Sequence, residues 1–272
     1  LSDSLGGARV ALLEARMESE LAALVRRHGG EPLCVPALRE VERDCAAETA
    51  LAADAVAGGG AVVVLATGVA LARWLGVADG IGRGADLRAG FARSTVVCRG
   101  PKPVAVLKRE GLPVHVRAEP PHTTAELLAA LSSVPVKGRA VVVVQDGGWS
   151  PAVPDALAAR GARVIEVRPY AWAPPEDQGP LRDLVRRVVA GEVEAVAVTT
   201  QAQARHLFAA AQEIGLGEAL ADALRGRVVL AAVGPTCART LEELGVPPRV
   251  VPAQSKMGPM VVALAAALTA GR

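Results

Sequence analysis

Residues 231–251 read AAVGPTCARTLEELGVPPRVV, and residues 95–115 read TVVCRGPKPVAVLKREGLPVH. Each is an apolar run, a Gly-Pro pair, a short helical stretch, a leucine, a glycine and a second apolar run. The pairs Gly100/Gly234, Leu107/Leu241 and Gly111/Gly245 are all 134 residues apart (234 − 100, 241 − 107, 245 − 111). The correspondence extends outward. Gly29 and Gly161, which end helical stretches, are 132 apart; Thr67 and Thr200, which end Val-rich runs, are 133 apart; Gly7 and Gly138, which precede first strands, are 131 apart. The chain therefore reads as two similar halves.

Within each half, apolar runs of strand length alternate with helical patterns, as in VVVL before GVALARWLGVA and AVAV before QAQARHLFAAAQ. That alternation specifies parallel sheets flanked by helices. TTAELL carries a capping box, Thr123 with Glu126 three residues on. The stretches VPALREVERD and RPYAWAPPEDQGP fall at equivalent points, just after the second strand of each half. Taken as crossings, they divide the α/β chain into two similar domains joined by two linkers with a cleft between them. Residues 1–37 and 171–272 form one domain, and 38–170 form the other. Ligands of such sheets bind outside the carboxyl ends of the strands.

The chain has 272 residues, 51% of them hydrophobic, a net charge of +2 and no dense Lys/Arg tract. This composition supports a large core and gives no electrostatic footprint for nucleic acid. Four cysteines and four histidines are scattered without the spacing of metal ligands, so no metal site is expected. No run approaches the ~18–20 apolar residues of a membrane span. LSDSLGGARV has no basic segment followed by an apolar one, so no export signal is expected and a cytoplasmic location is.

Five places could carry chemistry. In VGPTCA a strand runs into Gly234, Pro235 opens a helix, and Thr236 adds a hydroxyl beside free amides. Such a terminus accepts carboxylate or phosphate, and is equally a plain tight turn. The upstream copy places Arg99 and Lys102 around Gly100-Pro101, two cations that suit an acidic ligand or a solvated loop. Thr67 and Thr200 are helix caps that could also hold an anion. Tyr170, the single tyrosine, ends a strand at the Pro-rich linker, where a phenol can pack or donate a proton. The glycine loop VVVVQDGGWS can bring backbone close to a ligand or simply turn the chain.

These motifs resemble the uroporphyrinogen-III synthase family. The carriers are AAVGPTCARTLEELGVPPRVVP, VRPYAWAPPED, VEAVAVTT, VVLATGVALARWL and CRGPKPVAVLKREGL, spread over the whole chain in the family's order. The resemblance implies the interleaved two-domain clamp and a cofactor-free lyase. Its substrate would be hydroxymethylbilane, closed with loss of water and inversion of ring D. Tyr170 matches the tyrosine that is the family's main catalytic candidate. Thr200 and Thr236 match binding positions, and Gln201 and Gly234 beside them are expected to bind as well. Cys237 stands where a second threonine is usual, and VTT replaces FTS. Thr67, Arg99, Gly100 and Lys102 complete the expected binding set on the other half. A monomer is expected, receiving substrate transiently from hydroxymethylbilane synthase, with no nucleic acid or membrane partner.

Two other readings remain. The same motifs resemble non-catalytic tetrapyrrole-sensing domains of bacterial transcriptional regulators, and ALTAGR, with no winged-helix pattern, points away from that branch. A periplasmic-type solute-binding protein shares the hinged shape but needs an export signal.

Overall fold

The computed structural model describes residues 4–148 and 150–270. Trp149 of the glycine loop lies outside them, as do the first three residues of the stretch read for an export signal. The chain divides into two compact units, Leu1–Arg39 with Ala173–Arg272 (unit 1) and Glu40–Trp172 (unit 2).

Unit 1 begins with β1 (Arg9–Leu12), α1 (Glu18–Arg27) and β2 (Glu31–Cys34). The chain then passes through β3 (Arg39–Glu42) into unit 2. There it forms α2 (Ala46–Ala57), β4 (Val62–Leu65), α3 (Gly68–Gly80), α4 (Gly84–Phe91), β5 (Thr95–Cys98), α5 (Pro101–Arg109) and β6 (Val116–Arg117). The unit continues with α6 (Thr124–Ser132), β7 (Ala140–Val144), α7 (Ala152–Ala159) and β8 (Arg163–Val167). It returns through β9 (Tyr170–Ala173) to α8 (Gly179–Ala190), β10 (Ala195–Val198), α9 (Gln201–Glu213) and α10 (Gly217–Arg225). The chain finishes with β11 (Val229–Ala232), α11 (Pro235–Glu243) and α12 (Met257–Ala270).

The duplication is visible in the sheet order. Unit 1 has β11-β10-β1-β2, and unit 2 has β6-β5-β4-β7-β8; every pairing within them is parallel. Replacing each strand by its counterpart in the other half turns the first order into β5-β4-β7-β8. Even β6 has an equivalent, the single bridge between Ala231 and Val250. Each unit is thus built from the opening β-α-β of one half and the later strands of the other. The crossing strands β3 and β9 pair with each other as a two-stranded sheet.

Central strands read as unbroken apolar runs because both their faces are covered. In β4, Val62 and Val64 join one core cluster while Val63 and Leu65 join the opposite one. In β10, Val196 and Val198 face one layer and Ala195 and Ala197 the other. Alternation of side chains along a strand makes this the only arrangement that buries all four. The paired glycines Gly29/Gly161 and Gly111/Gly245 all have φ between 66° and 78°. In that left-handed region a Cβ is costly, which explains why glycine recurs at these helix ends.

Two sequence expectations change. Tyr170 does not end the strand that begins at Arg163; β8 stops at Val167 and Tyr170 opens β9. Pro169 lacks the N–H that would continue the ladder, so the run breaks before it. Helices α4 and α10 occupy stretches from which no element was expected, since each is short and opens on a glycine. The capping box at Thr123 is present, with Glu126 accepting from the Thr123 amide at 2.8 Å.

Candidate active site

In unit 2, the carboxyl ends of β4, β5 and β7 lead into Thr67, Arg99 and the Gln145–Gly148 loop. Thr67 caps α3, its hydroxyl accepting from the Ala70 amide at 3.1 Å. Gly68, immediately after it, is where α5 approaches: a Cβ there would lie 2.7 Å from the Lys102 carbonyl oxygen. Arg99 is not a free cation. It pairs with Asp146 at 3.1 Å, both side chains about a quarter exposed. Lys102 is exposed and has no ion pair among the described residues. The backbone at Gly100 is extended, so conformation is not what requires glycine; a Cβ would touch the His122 ring at 3.3 Å. His122 Nδ1 lies 3.0 Å from the Ala118 carbonyl oxygen and so carries the proton of that bond.

Unit 1 repeats the geometry with different groups. At Gly234 a Cβ would meet the Ser255 side chain, 2.9 Å from its Cβ, in the place that the His122 ring takes at Gly100. Thr200 caps α9 and shares a capping box with Gln203. Gln203 is 0% exposed, and its Oε1 accepts from the amides of Thr199 (2.8 Å) and Thr200 (3.3 Å). The cap therefore consumes those amides itself and leaves Gln201 and the residue after it to offer donors. At α11, Thr236 is exposed and Cys237 buried.

The Gly-Pro copies diverge for a reason now visible. Helix α11 keeps the amides of Thr236 and Cys237, but α5 has Pro103 at the position of Cys237, after Pro101. Proline has no N–H. The unit 2 turn has lost a donor that the unit 1 turn retains, and cationic side chains stand beside it instead.

One carboxylate escaped the sequence reading. Glu14, beyond the end of β1, accepts from the Thr199 hydroxyl and from Gln203 Nε2 (3.1 Å), and its other oxygen accepts from the Arg16 amide at 3.2 Å. It ties the loop after β1 to the turn after the neighbouring β10. Burial of the Cys237 thiol, and secondarily the Glu14 charge, push that thiol up to about 12. Burial alone does the same to Cys98, also up to about 12. Since the thiolate is the reactive form, iodoacetamide near neutral pH is expected to leave both unmodified in the native protein and to label all four cysteines in denaturant. Rapid native labelling of Cys237 would show that the α11 turn opens.

Tyr170 is 2% exposed and packs into the unit 2 core. Trp172 meets it edge-on at 5.4 Å between ring centres, and the Arg73 guanidinium lies 5.2 Å over its ring. The hydroxyl makes no hydrogen bond among the described residues. A buried ring with an uncommitted hydroxyl can donate to a ligand without first breaking an internal bond. Among the described residues, no group of three or more His, Cys, Asp or Glu could hold a metal ion, and no helix is long and apolar enough to cross a membrane.

The model of uroporphyrinogen-III synthase HemD matches residues 19–262. The chain belongs to the uroporphyrinogen-III synthase family. It is 30% identical to the uncharacterized protein YjjA of Bacillus subtilis, over 97% of both chains. A mutant uroporphyrinogen III synthase from the extremely thermophilic bacterium Thermus thermophilus is 29% identical, with a TM-score of 0.79 over 97% of this chain and 99% of that one. The Helicobacter pylori uroporphyrinogen-III synthetase, at 10% identity and a TM-score of 0.55 over 97% and 99%, shares the fold. The chain is thus an enzyme of the uroporphyrinogen-III synthase kind, a lyase of tetrapyrrole biosynthesis.

Proposed function

We propose that the protein converts hydroxymethylbilane into uroporphyrinogen III, with water as the other product. The observation that carries this reading is Tyr170: the single tyrosine of a chain in this family, its ring buried and its hydroxyl without a hydrogen bond among the described residues. Its phenol gives a hydrogen bond or proton to the departing hydroxyl, and water leaves an azafulvene cation. Ring D then attacks that cation through its substituted carbon, forming a spiro intermediate that fragments and recloses with the ring inverted, and the proton lost as the ring rearomatises restores the phenol. No oxidant or reductant is needed, because the bilane becomes the macrocycle plus one water.

Steering the attack is a problem of position, and position is where most of the advantage over the spontaneous reaction arises. The substrate's acetate and propionate carboxylates suit the groups found on each unit. Unit 1 offers the amides around Gly234, Thr236, Cys237 and Gln201; unit 2 offers Lys102 beside Gly100, the Thr67 turn, and Arg99 through its pair with Asp146. Amide donors do not depend on side-chain identity, which accommodates Cys237 at a position where a hydroxyl is usual.

The test is an assay that supplies freshly made hydroxymethylbilane and separates the two product isomers. The III isomer should dominate. A product no richer in III than the spontaneous reaction would reject the reading and leave a ligand-sensing domain in its place.

A further inference from the structure

Tyr170 is held by more than its burial. Arg73, on α3, lies over one face of the ring at 5.2 Å, within the range at which a guanidinium is attracted to an aromatic face. The guanidinium pairs with Glu40 at 2.9 Å and, more weakly, with the exposed carboxylate of Glu42 at 3.4 Å, both on β3. The Glu40 side chain is 18% exposed and that of Arg73 31%, so that pair is partly sheltered from solvent. On β9, the Trp172 amide donates to the Gly147 carbonyl at 2.9 Å and its indole meets Tyr170 edge-on. Arg73 of α3, Trp172 of β9 and Gly147 of the loop after β7 therefore stand against one phenol ring, with Glu40 of β3 behind Arg73. A cation of this kind usually has a simpler purpose, an ion pair on a helix surface. Here two carboxylates on one strand aim the cation at the ring, a geometry that an ion pair alone does not require.

We propose that Arg73 is a positioning residue for the reaction: carried by Glu40 and Glu42, it clamps the Tyr170 ring so that the hydroxyl points in one direction. The proposal rests on the reading of Tyr170 as the proton or hydrogen-bond donor. Arg73 acts through the phenol, and need not touch the substrate.

This arrangement makes a specific demand. If Arg73 works through the hydroxyl, its loss should matter only while the hydroxyl is present, since residues that act as a unit are strongly non-additive. Steady-state kinetics with fresh hydroxymethylbilane should be measured for Arg73→Met, Tyr170→Phe and the double variant. Arg73→Met is expected to lower kcat about tenfold with KM within about twofold, the pattern of misplacement rather than lost binding. In the Tyr170→Phe background the same change should cost nothing further. An equal loss in both backgrounds, or unchanged kcat in Arg73→Met, would overturn the proposal. A Tyr170→Phe variant at full wild-type rate would overturn the underlying reading and the proposal with it, and is distinguishable from the first failure.

A second measurement is independent of turnover. Because Tyr170 is the single tyrosine, ring-labelled tyrosine reports on it alone in an NMR spectrum. The wild type should give one narrow set of ring signals, and Arg73→Met a broadened or displaced set while the remaining spectrum stays dispersed. Arg73→Lys, which keeps a cation between Glu40 and the ring, should restore most of both kcat and linewidth. Identical tyrosine signals in wild type and Arg73→Met would rule out the clamp.

Discussion

Tyr170→Phe is expected to lower kcat for uroporphyrinogen III formation about 100-fold, the lower end of what a positioned acid contributes. The lower end applies because hydroxymethylbilane already loses its hydroxyl and closes unaided. For the same reason the product should change as well as the rate. Once the enzymatic route slows, spontaneous closure competes, and the symmetric isomer should rise as a share of total product. Stability should barely move. The substitution keeps the ring that packs against Trp172 and lies beneath Arg73, and removes a hydroxyl that has no hydrogen bond among the described residues. A change within about 0.5 kcal/mol is the expectation for a substitution that breaks no contact. Isomer-resolved kinetics beside a thermal melt check both halves. A variant with full wild-type rate would remove Tyr170 from the mechanism.

Gly147→Ala should have the other large effect, for a steric reason. A Cβ at this position would lie 2.5 Å from Tyr170 Cε2 and 2.8 Å from Trp172 Nε1. Neither neighbour is the loose end of a flexible chain. Both are rings, one of them 2% exposed, and the Gly147 carbonyl is tied to the Trp172 amide. Either the loop or the phenol must shift. Overpacking of this kind costs about 1–3 kcal/mol, which should appear as a fall in Tm of a few degrees. The kinetic consequence should be larger, because displacement of a reacting group by about 1 Å can cost ~100-fold in rate. We expect kcat to fall between ~10-fold and ~100-fold with a smaller change in KM. Gly148→Ala is the matched control: its added Cβ would come no closer than 3.6 Å to Asp146 and 3.8 Å to Trp172. If the two variants behaved alike, the contact at Gly147 would not be what positions the phenol.

The two predictions separate chemistry from placement. The first deletes the proton and keeps the ring; the second keeps the proton and moves the ring. If placement matters as much as the fold indicates, both should enrich the symmetric isomer, and only Gly147→Ala should also destabilise the protein.

Much of the architecture was legible in order along the chain. The constant offset between Gly100-Pro101 and Gly234-Pro235 marks a duplication because turns and helix ends impose local demands that only a few residues meet. Glycine at the left-handed ends of helices and proline at first helical positions are such demands, so both copies retained them. Val-rich runs named the covered strands, because a strand buried on both faces cannot include polar side chains. The repeated linkers pointed to the exchange of β-α-β pieces that the strand order shows. Where local signals were weak, the reading failed. Pro169 moved Tyr170 from the end of one strand to the start of another, and short α4 and α10 were passed over.

The sequence by itself determined the repeated α/β units and their parallel strands, which follow from local periodicity and turn chemistry, and its motifs carried the resemblance to the family. Which groups meet was decided only by tertiary structure. Glu14 reaches Thr199 across 185 residues of chain because β1 and β10 are neighbours in one sheet. Arg99 is taken by Asp146 from a strand two places away, and Arg73 of α3 meets Tyr170 of β9 where both pack on the core of unit 2. A side chain's partner across a sheet depends on strand order, and strand order is set by how layers bury their apolar faces together, a property of the whole fold that no local stretch encodes.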